Sequence, residues 1–168
     1  MRLGKLPRRA GWQPALPRMN SPTITVRDRQ RGVEVELVGL QCFAELAIRE
    51  CLKLSRRKSG MLTRLAEIDV VLVSDRRMAE LHQRFLNEPG PTDVITFQHG
   101  EIVISAETAK RQARSFRTSM ELELRLYLMH GLLHLCGFDD KTSAGAREMK
   151  RLQEKLVAKV QRALDASG

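Results

Sequence analysis

Two histidines four residues apart are the chemically most suggestive feature of the sequence. His130 and His134 lie in the apolar run YLMHGLLHLC, which has the composition of a buried helix. Because residues i and i+4 project from one face of an α-helix, both imidazoles can reach one metal ion at a distance of about 2 Å. The alternative is a pair of core histidines that each need a hydrogen-bond partner, since an unpaired buried polar group costs roughly 1–3 kcal/mol.

The residues that follow the second histidine favour the metal. Gly137 can adopt a positive φ, so the chain can turn sharply and bring Asp139 or Asp140 back toward the histidines. The pattern His-x-x-x-His-x-x-Gly-x-x-Asp has the spacing of the long metzincin zinc motif, in which a third ligand returns after a glycine. Two histidines and one carboxylate suit one Zn²⁺ ion per chain and leave a fourth coordination position open.

A peptidase assignment is weakened by Gly131. Zinc proteases carry a glutamate directly after the first histidine, where it serves as the general base of peptide hydrolysis. In this chain that position is glycine. Because glycine inside a helix costs about 1 kcal/mol relative to alanine, its presence suggests that another group, such as a substrate, approaches the backbone there.

Strands and helices in mixed order must position these residues. Hydrophobic patterns predict strands, the second of them central and the last two paired as a hairpin, over residues 22–28, 68–74, 92–97 and 101–105. Helices are predicted over residues 40–54, 75–85, 106–116, 118–136 and 144–164. An alternating stretch from Val33 could extend or pair with the first strand. This order indicates an α+β or α/β layered fold with a small sheet packed against helices.

Capping signals mark the starts of two of these helices. Thr118 as N-cap and Glu121 three residues later form a capping box. Asp75 can cap the earlier helix. Beyond its first turn, the helix that carries the histidines is apolar on nearly every face except at Arg125 and the histidines themselves. It is therefore predicted to be the buried central helix.

The positive charge of the chain is concentrated at its beginning. Lys and Arg number 29 against 20 Asp and Glu, a formal net charge of +9. Residues 1–20 hold five of the basic residues and no acid, which leaves 24 basic and 20 acidic residues, a net of +4, for the rest. Residues 1–21 are predicted to be a disordered, Pro-rich extension or to include a later true start at Met19. Residues 22–168 are predicted to form a single domain.

Composition also bears on compartment and partner. A basic chain favours an anionic partner such as nucleic acid or a membrane surface. Three cysteines at irregular spacing argue against a disulfide framework and for a reducing compartment. No apolar run approaches the roughly 18 residues that a membrane-spanning helix needs. A cytoplasmic protein without a membrane partner is therefore expected.

Two sequence blocks resemble the YbeY family of bacterial endoribonucleases, and the likeness covers about residues 68–149. The family signature is His-Gly-x-Leu-His-Leu-x-Gly-Tyr-Asp-His, and this chain has HGLLHLCGFDD. The family's second block, Pro-Thr-Asp-Val-Leu-Ser-Phe and then Gly-Asp-Ile-Val-Ile, corresponds to PTDVITF from Pro91 and GEIVI from Gly100. The resemblance implies an α+β fold, a small mixed four-stranded sheet flanked by helices, with the metal-binding histidines on a buried central helix.

The resemblance also implies roles for single residues. The third ligand of the family falls at Asp140, where the family has histidine, so the implied ligand set is His130, His134 and Asp140. A carboxylate adds negative charge and should make the metal a weaker Lewis acid. A functional arginine of the family lies five residues before the Pro of Pro-Thr-Asp-Val, and this chain has Leu86 at that position. Arg84, two residues earlier on a helix, would face elsewhere.

Basic and acidic residues around the motif complete the candidate site. Lys110, Arg111 and Arg114 lie in the basic segment just before the histidine helix and are predicted to contact RNA phosphates at the rim of the site. Asp93 either hydrogen-bonds a metal-bound histidine or faces solvent from an edge strand. Asp139 is free to cap the following helix or to orient a ligand.

The function that the resemblance implies is metal-dependent cleavage of single-stranded RNA. The family acts in 16S ribosomal RNA 3′-end maturation and ribosome quality control, so ribosomal RNA of the small subunit is the expected partner, with ribosomal proteins as further candidates. The alternatives are a metal hydrolase of another substrate, peptides included, and a ribosome-associated assembly factor with a structural metal. A structural site would be closed by four protein ligands, whereas the sequence offers three.

Overall fold

Strands and helices alternate in the computed structural model, which describes residues 21–55 and 60–166. The strands are β1 (Thr23–Asp28), β2 (Glu67–Val73), β3 (Val94–Thr96) and β4 (Glu101–Ser105). The helices are α1 (Leu37–Ser55), α2 (Asp75–Leu86), α3 (Ala106–Phe116), α4 (Met120–Leu135) and α5 (Ser143–Asp165). The predicted N-terminal extension falls, apart from its last residue, outside the described residues.

The strands form a mixed sheet in the order β1-β2-β4-β3. β2 pairs in parallel with β1 and with β4, and β3 forms an antiparallel hairpin with β4. The predicted central strand and hairpin are therefore confirmed, as is the α+β fold with a mixed four-stranded sheet. The stretch from Val33 forms no strand and instead leads into α1, which begins at Leu37.

The two faces of the sheet are covered to different extents. Side chains alternate along a strand, so Val70 and Leu72 of β2 point to one face and Val71 and Val73 to the other. On the first face, α1 and α4 pack directly on the strands and α5 packs behind them, which buries the main core. On the second face, α2 packs over a small cluster around Met78 and leaves part of the sheet open.

α4 lies at the centre of the fold, as predicted. Its buried residues include Leu128, Met129 and Leu132, which are fully inaccessible, and it contacts α1, α3, α5, β3 and β4. Within residues 21–55 and 60–166, no helix has both the length and the apolar composition needed to cross a bilayer.

Gly131 lets the sheet, and not a substrate, approach the backbone of α4. A Cβ atom at this position would lie 2.7 Å from Cγ2 of Ile102 and 3.0 Å from Oγ1 of Thr96. Ile102 is fully buried in β4, so it has little room to move away. The glycine therefore sets how closely α4 packs against the β3–β4 hairpin, which corrects the expectation that it serves substrate approach.

The start of α4 lies one residue later than its predicted cap. Ser119 is the N-cap, and its Oγ accepts a hydrogen bond from the backbone N–H of Leu122 at 3.1 Å. Thr118 cannot play this part because its own N–H donates to the carbonyl of Ala113 at 2.9 Å, which ties Thr118 to the end of α3. Its hydroxyl bonds the carboxylate of Glu123 instead.

The start of α2 is also capped by a different residue from the one predicted. Ser74 is the N-cap, and Asp75 is the first helical residue. The carboxylate of Asp75 turns toward α3, where it accepts from Ser105 Oγ at 2.6 Å, Thr108 Oγ1 at 2.7 Å and Arg111 Nη1 at 2.7 Å. Partial burial opposes ionisation, but these hydrogen bonds outweigh it and lower the pKa of Asp75. Asp75 therefore joins α2 to α3.

Candidate metal centre

A tight turn at the end of α4 brings an aspartate back to the two histidines. Gly137 has a φ of 92°, as its predicted role requires. Its N–H donates to the carbonyl of His134 at 2.9 Å, and the N–H of Phe138 donates to that of Leu133 at 3.1 Å. This pair of bonds is the common glycine-terminated helix end. The chain then reverses, so that Asp140 lies beside the histidine face of α4.

Three potential ligand atoms converge at this place. The Nε2 atoms of His130 and His134 are 3.0 Å apart, and the carboxylate oxygens of Asp140 lie 3.5 Å from the first and 3.8 Å from the second. One donor atom from each residue lies within 4.8 Å of the others. Bonds of about 2.0–2.2 Å at tetrahedral angles place ligand atoms about 3.3–3.6 Å apart. The donor set and its spacing therefore fit a single ion such as Zn²⁺.

Each imidazole is held in place through its other nitrogen. Nδ1 of His130 lies 3.2 Å from Oε1 of Gln153 in α5, and Nδ1 of His134 lies 3.2 Å from the carbonyl oxygen of Phe138. In the neutral tautomer that donates from Nδ1 to these oxygens, the lone pair of Nε2 on each ring is free and directed at the same point. Such an arrangement favours metal ligands over a pair of satisfied core histidines.

The protonation of His134 agrees with this arrangement. Burial lowers the pKa of its imidazole, and the neighbouring His130 lowers it further, while Asp140 acts in the opposite direction. Because the lowered pKa favours the neutral imidazole, His134 is held in the form that binds a metal.

The ligand atoms open into a cleft of about 540 Å³ beside β3. Val94 and Thr96 of β3 form part of its wall, together with Lys141 from the turn after α4. The side chain of Asp140 is 44% exposed, so the cluster is accessible from the cleft. Three ligand groups with one open side leave room for a substrate or water at a fourth position.

The residue that replaces the family's arginine lies on the wall of this cleft. Leu86, the last residue of α2, is 54% exposed there. Arg84 lines a different depression, as its position on the helix predicts. The cleft therefore presents an apolar side chain where the family resemblance implies a cation.

Two other predicted acidic residues bond elsewhere. Oδ1 of Asp139 accepts from the backbone N–H of Lys141 at 2.7 Å, and Thr142, not Asp139, caps α5. Oδ1 of Asp93 accepts from the backbone N–H of Val94 at 2.8 Å. The hydrogen bonds found among the described residues thus connect neither carboxylate to a histidine, and their contribution to ligand orientation remains a prediction.

The three predicted RNA-binding residues lie outside the cleft beside His130, His134 and Asp140, which is called the metal cleft below. Lys110, Arg111 and Arg114 line a separate depression of about 470 Å³ together with Asp75 and Glu107. Arg111 is already engaged by Asp75 in the joint between α2 and α3. Closeness in sequence to α4 therefore does not place these side chains at the rim of the cleft, and their binding of RNA remains a prediction.

Two further residues of the site were not identified from the sequence. Gln153 reaches His130 because α5 packs along α4, and no motif marks it. Oγ1 of Thr96 is buried beside the cleft and has no hydrogen-bond partner among the described residues. Thr96 belongs to the short edge strand, and the sequence pattern there indicates a strand but not which side chain faces the cleft.

The fold and the cluster together define a class, that of small α+β proteins with a His/His/Asp cluster that could hold a metal ion beside an open cleft. Residues 26–161 match the family model described as Endoribonuclease YbeY. The chain therefore belongs to the endoribonuclease YbeY family, which confirms the resemblance seen in the two sequence blocks.

Individual relatives agree with this membership. The chain is 37% identical over 124 residues to the endoribonuclease YbeY of Frankia alni, with 62% of this chain and 68% of the relative covered. It is 40% identical over 118 residues to that of Thermobifida fusca, with coverages of 60% and 76%. The solution structure of TM1509 from Thermotoga maritima is similar with a TM-score of 0.56 and 27% identity, over 86% of this chain and 93% of that one.

Proposed function

We propose that this chain is a zinc-dependent endoribonuclease that cleaves single-stranded RNA in the maturation of ribosomal RNA. Membership of the endoribonuclease YbeY family supports the nuclease activity. The observation that carries the metal dependence is the convergence of His130, His134 and Asp140 on one point beside an open cleft. We propose one ion per chain at this point.

The side chains of the cluster suit phosphodiester hydrolysis. When bound, a Zn²⁺ ion supplies a Lewis acid that polarises a phosphoryl oxygen and makes water a stronger nucleophile near neutral pH. The hydrogen bonds at Nδ1 keep both imidazoles oriented, with Nε2 of each ring directed at the proposed metal position. Asp140 completes the donor set from the exposed side. Because residue 131 is glycine, the helix offers no carboxylate where a zinc peptidase has its general base.

The lining of the cleft indicates a slow enzyme. Lys141 supplies a cation that can meet a phosphate. Leu86, by contrast, removes a positive charge that would stabilise the negative charge that develops on phosphate in the transition state. The carboxylate of Asp140 further reduces the net positive charge of the loaded site.

The substrate and its setting follow from the same proposal. We infer that ribosomal RNA of the small subunit is the substrate and that the protein acts in the cytoplasm, where ribosomal proteins are further candidate partners. Lys110, Arg111 and Arg114 would hold the RNA backbone at a distance from the cleft. A metal hydrolase of peptides or an assembly factor with a structural metal is less well supported, because the cluster has three ligands, an open side and no glutamate base.

Metal analysis paired with a cleavage assay tests the proposal. The purified full-length protein is expected to hold about one Zn²⁺ per chain and to cleave single-stranded RNA slowly. A chelator should stop the reaction, and added Zn²⁺ should restore it. A duplex of the same sequence and casein should remain intact. Chelator-sensitive cleavage of casein would overturn the RNA assignment, and bound metal without any RNA cleavage would favour the assembly factor.

Restoring the family's arginine should raise the activity. Leu86→Arg places a guanidinium on the cleft wall, so we expect kcat/KM for single-stranded RNA to rise roughly tenfold or more. Leu86 is half exposed, so folding should tolerate the change. Val38→Arg is the matched control. Val38 is 72% exposed on α1, so an arginine there adds the same charge away from the cleft. An equal rise in kcat/KM in both variants would show a general effect of positive charge. It would contradict a specific effect of residue 86 on the cleft wall.

A further inference from the structure

The open part of the second sheet face holds a depression on the other side of β3 from the metal cleft. Its volume is about 680 Å³. Valine side chains of β2 and β4 form its floor, Phe97 stands at one side, and residues of α2 form the opposite wall. The depression exists because α2 covers this face only in part.

Three rings make a continuous aromatic surface in this depression. The centroids of Phe85 and Phe97 are 5.1 Å apart with the rings at 78°, and Phe97 stacks on His99 at 5.5 Å and 25°. Phe85 is 53% exposed, and the side chain of His99 is 70% exposed. The guanidinium of Arg84 lies 5.4 Å from the centroid of Phe85. Exposed ring faces beside an arginine are what nucleic-acid bases stack on in proteins that bind single strands.

The charge around these rings suits a polyanion. Arg29, Arg77 and Arg84 line the depression, against Glu101 as its acidic residue. Arg77 pairs with Glu80 at 3.0 Å. In the described part of the chain, no ion pair engages Arg29 or Arg84. Two guanidinium groups are therefore available for phosphates.

The edge strand β3 connects this depression to the metal cleft. Side chains alternate along β3, so Val94 and Thr96 line the metal cleft. Ile95, which also borders this cleft, and Phe97, the residue after β3, pack in the cluster on the second sheet face. Of the last two residues of α2, Leu86 lines the metal cleft and Phe85 lines the depression on the second sheet face. Because β3 ends the described sheet, a single nucleic-acid strand can pass round its edge from one depression to the other.

We propose that Phe85, Phe97 and His99, together called the aromatic platform, stack a base of the single-stranded RNA whose phosphodiester bond lies at the metal centre. This inference rests on the proposed ribonuclease function. Every base has a π face, so the platform would tolerate many sequences, whereas the bases of a duplex are already stacked and paired. The platform thereby accounts for a preference for single strands, and Arg84 holds a neighbouring phosphate.

Binding of a non-cleavable strand tests the platform separately from catalysis. Fluorescence anisotropy would measure the Kd of a 2′-O-methyl RNA of about 12 nucleotides, a length within the range that single-strand binding folds occupy. We expect Phe85→Ala and His99→Ala each to raise the Kd roughly tenfold and Phe85→Trp to keep it near the wild-type value. Phe116→Ala is the matched control, because this ring is 66% exposed at the end of α3, outside the platform.

Two further measurements separate stacking from charge. Phe85→Ala should leave the salt dependence of binding unchanged, whereas Arg84→Ala should lower the slope of log K against log salt by about 0.7, one phosphate's share for a single strand. The loss in Phe85→Ala should also disappear with an oligonucleotide that carries abasic sites, since no base remains to stack.

The outcomes distinguish the platform from the proposed function. If the wild-type protein cleaves RNA but Phe85→Ala and His99→Ala bind the oligonucleotide as Phe116→Ala does, the platform is wrong and the ribonuclease proposal stands. This result would leave the rings as a docking surface for a protein. If the wild-type protein neither binds nor cleaves single-stranded RNA, both proposals fail.

Discussion

Asp140, the proposed third ligand, stands where the family signature has histidine. A carboxylate binds Zn²⁺ at about 2.0–2.2 Å, much like an imidazole, but its side chain is shorter. We therefore expect the backbone after α4 to lie closer to the histidines than it would with a third histidine. Gly145 helps, because a Cβ there would lie 2.3 Å from the carbonyl oxygen of Asp139, so the start of α5 packs tightly against the turn.

The two neighbouring aspartates should differ in their effect on metal content. Asp140→Ala should lose most of the bound metal, and Asp140→His should retain it, because either side chain can supply the third donor atom. Asp139→Ala should lose less, since its carboxylate bonds the backbone N–H of Lys141 and lies outside the cluster. Metal per chain after dialysis is the measurement, with circular dichroism to confirm folding.

If Asp139→Ala lost more metal than Asp140→Ala, the wrong carboxylate would have been assigned as the third ligand. In that case Asp139→Ala would empty the site while Asp140→Ala left it filled. Unchanged metal content in all three variants would mean that neither aspartate is a ligand.

At the scale of elements, the site depends on packing between segments that are separate in sequence. α5 brings Gln153 to one histidine, and the β3–β4 hairpin packs against α4 at Gly131. The joint at Asp75 fixes α2 against α3, and α2 in turn carries Leu86 to the cleft and Phe85 to the aromatic platform. The orientation of α2 therefore affects both surfaces.

Removal of the Asp75 carboxylate, which joins α2 to α3, should destabilise the fold at neutral pH and have less effect in acid. Asp75→Ala leaves buried Ser105 and Thr108 hydroxyls without their acceptor, so we expect the free energy of unfolding to fall by roughly 2–3 kcal/mol at neutral pH. The folded-state pKa of Asp75 is lowered, so its stabilisation is present above the unfolded pKa of about 3.9 and is lost as pH falls through the folded value. The difference between variant and wild type should therefore shrink in acid.

Urea denaturation at neutral and acid pH measures this difference. Asp69→Ala is the control, because Asp69 forms an exposed ion pair with Arg27 that should contribute only about 0–1 kcal/mol. Equal losses in the two variants would contradict the assignment of Asp75 as the joint between α2 and α3.

At the scale of the whole molecule, charge is the property that bears on RNA binding. More than half of the net charge of +9 lies in residues 1–20, and the rest of the chain carries +4. Besides Lys141 in the metal cleft, basic side chains line two further depressions, one with Lys110 and Arg114 and one beside the aromatic platform. Binding of RNA should therefore not require the N-terminal segment.

A chain that lacks residues 1–20 should still bind single-stranded RNA in a salt-dependent manner. Joint replacement of Lys110 and Arg114 by alanine should weaken binding and lower the salt slope by up to about 1.4, two phosphates' share. Arg111 is left in place because its loss would also break the joint with Asp75. Affinity at several salt concentrations is the measurement. Complete loss of binding on truncation would show that these surfaces carry no RNA site.

The local sequence pattern predicted much of the fold and part of the candidate site. The i, i+4 spacing of the histidines, the glycine turn, the alternation in the strands and the hairpin all depend on neighbours a few residues apart, and each was predicted correctly. The two motif blocks further identified the family and selected Asp140 over Asp139, the aspartate that the structure brings to within 4.8 Å of the histidine nitrogens.

Only the tertiary structure decided which distant side chains meet. Ser119, and not Thr118, caps α4 because Thr118 is hydrogen-bonded to the end of α3. The basic residues of α3 lie outside the cleft because the helix presents them on another surface; they are Lys110, Arg111 and Arg114. The aromatic platform arises where α2 crosses the sheet beside the β3–β4 hairpin, with no motif linking its rings. Such contacts depend on strand order and helix packing between segments far apart in the chain, which a periodicity of two or 3.6 residues does not encode.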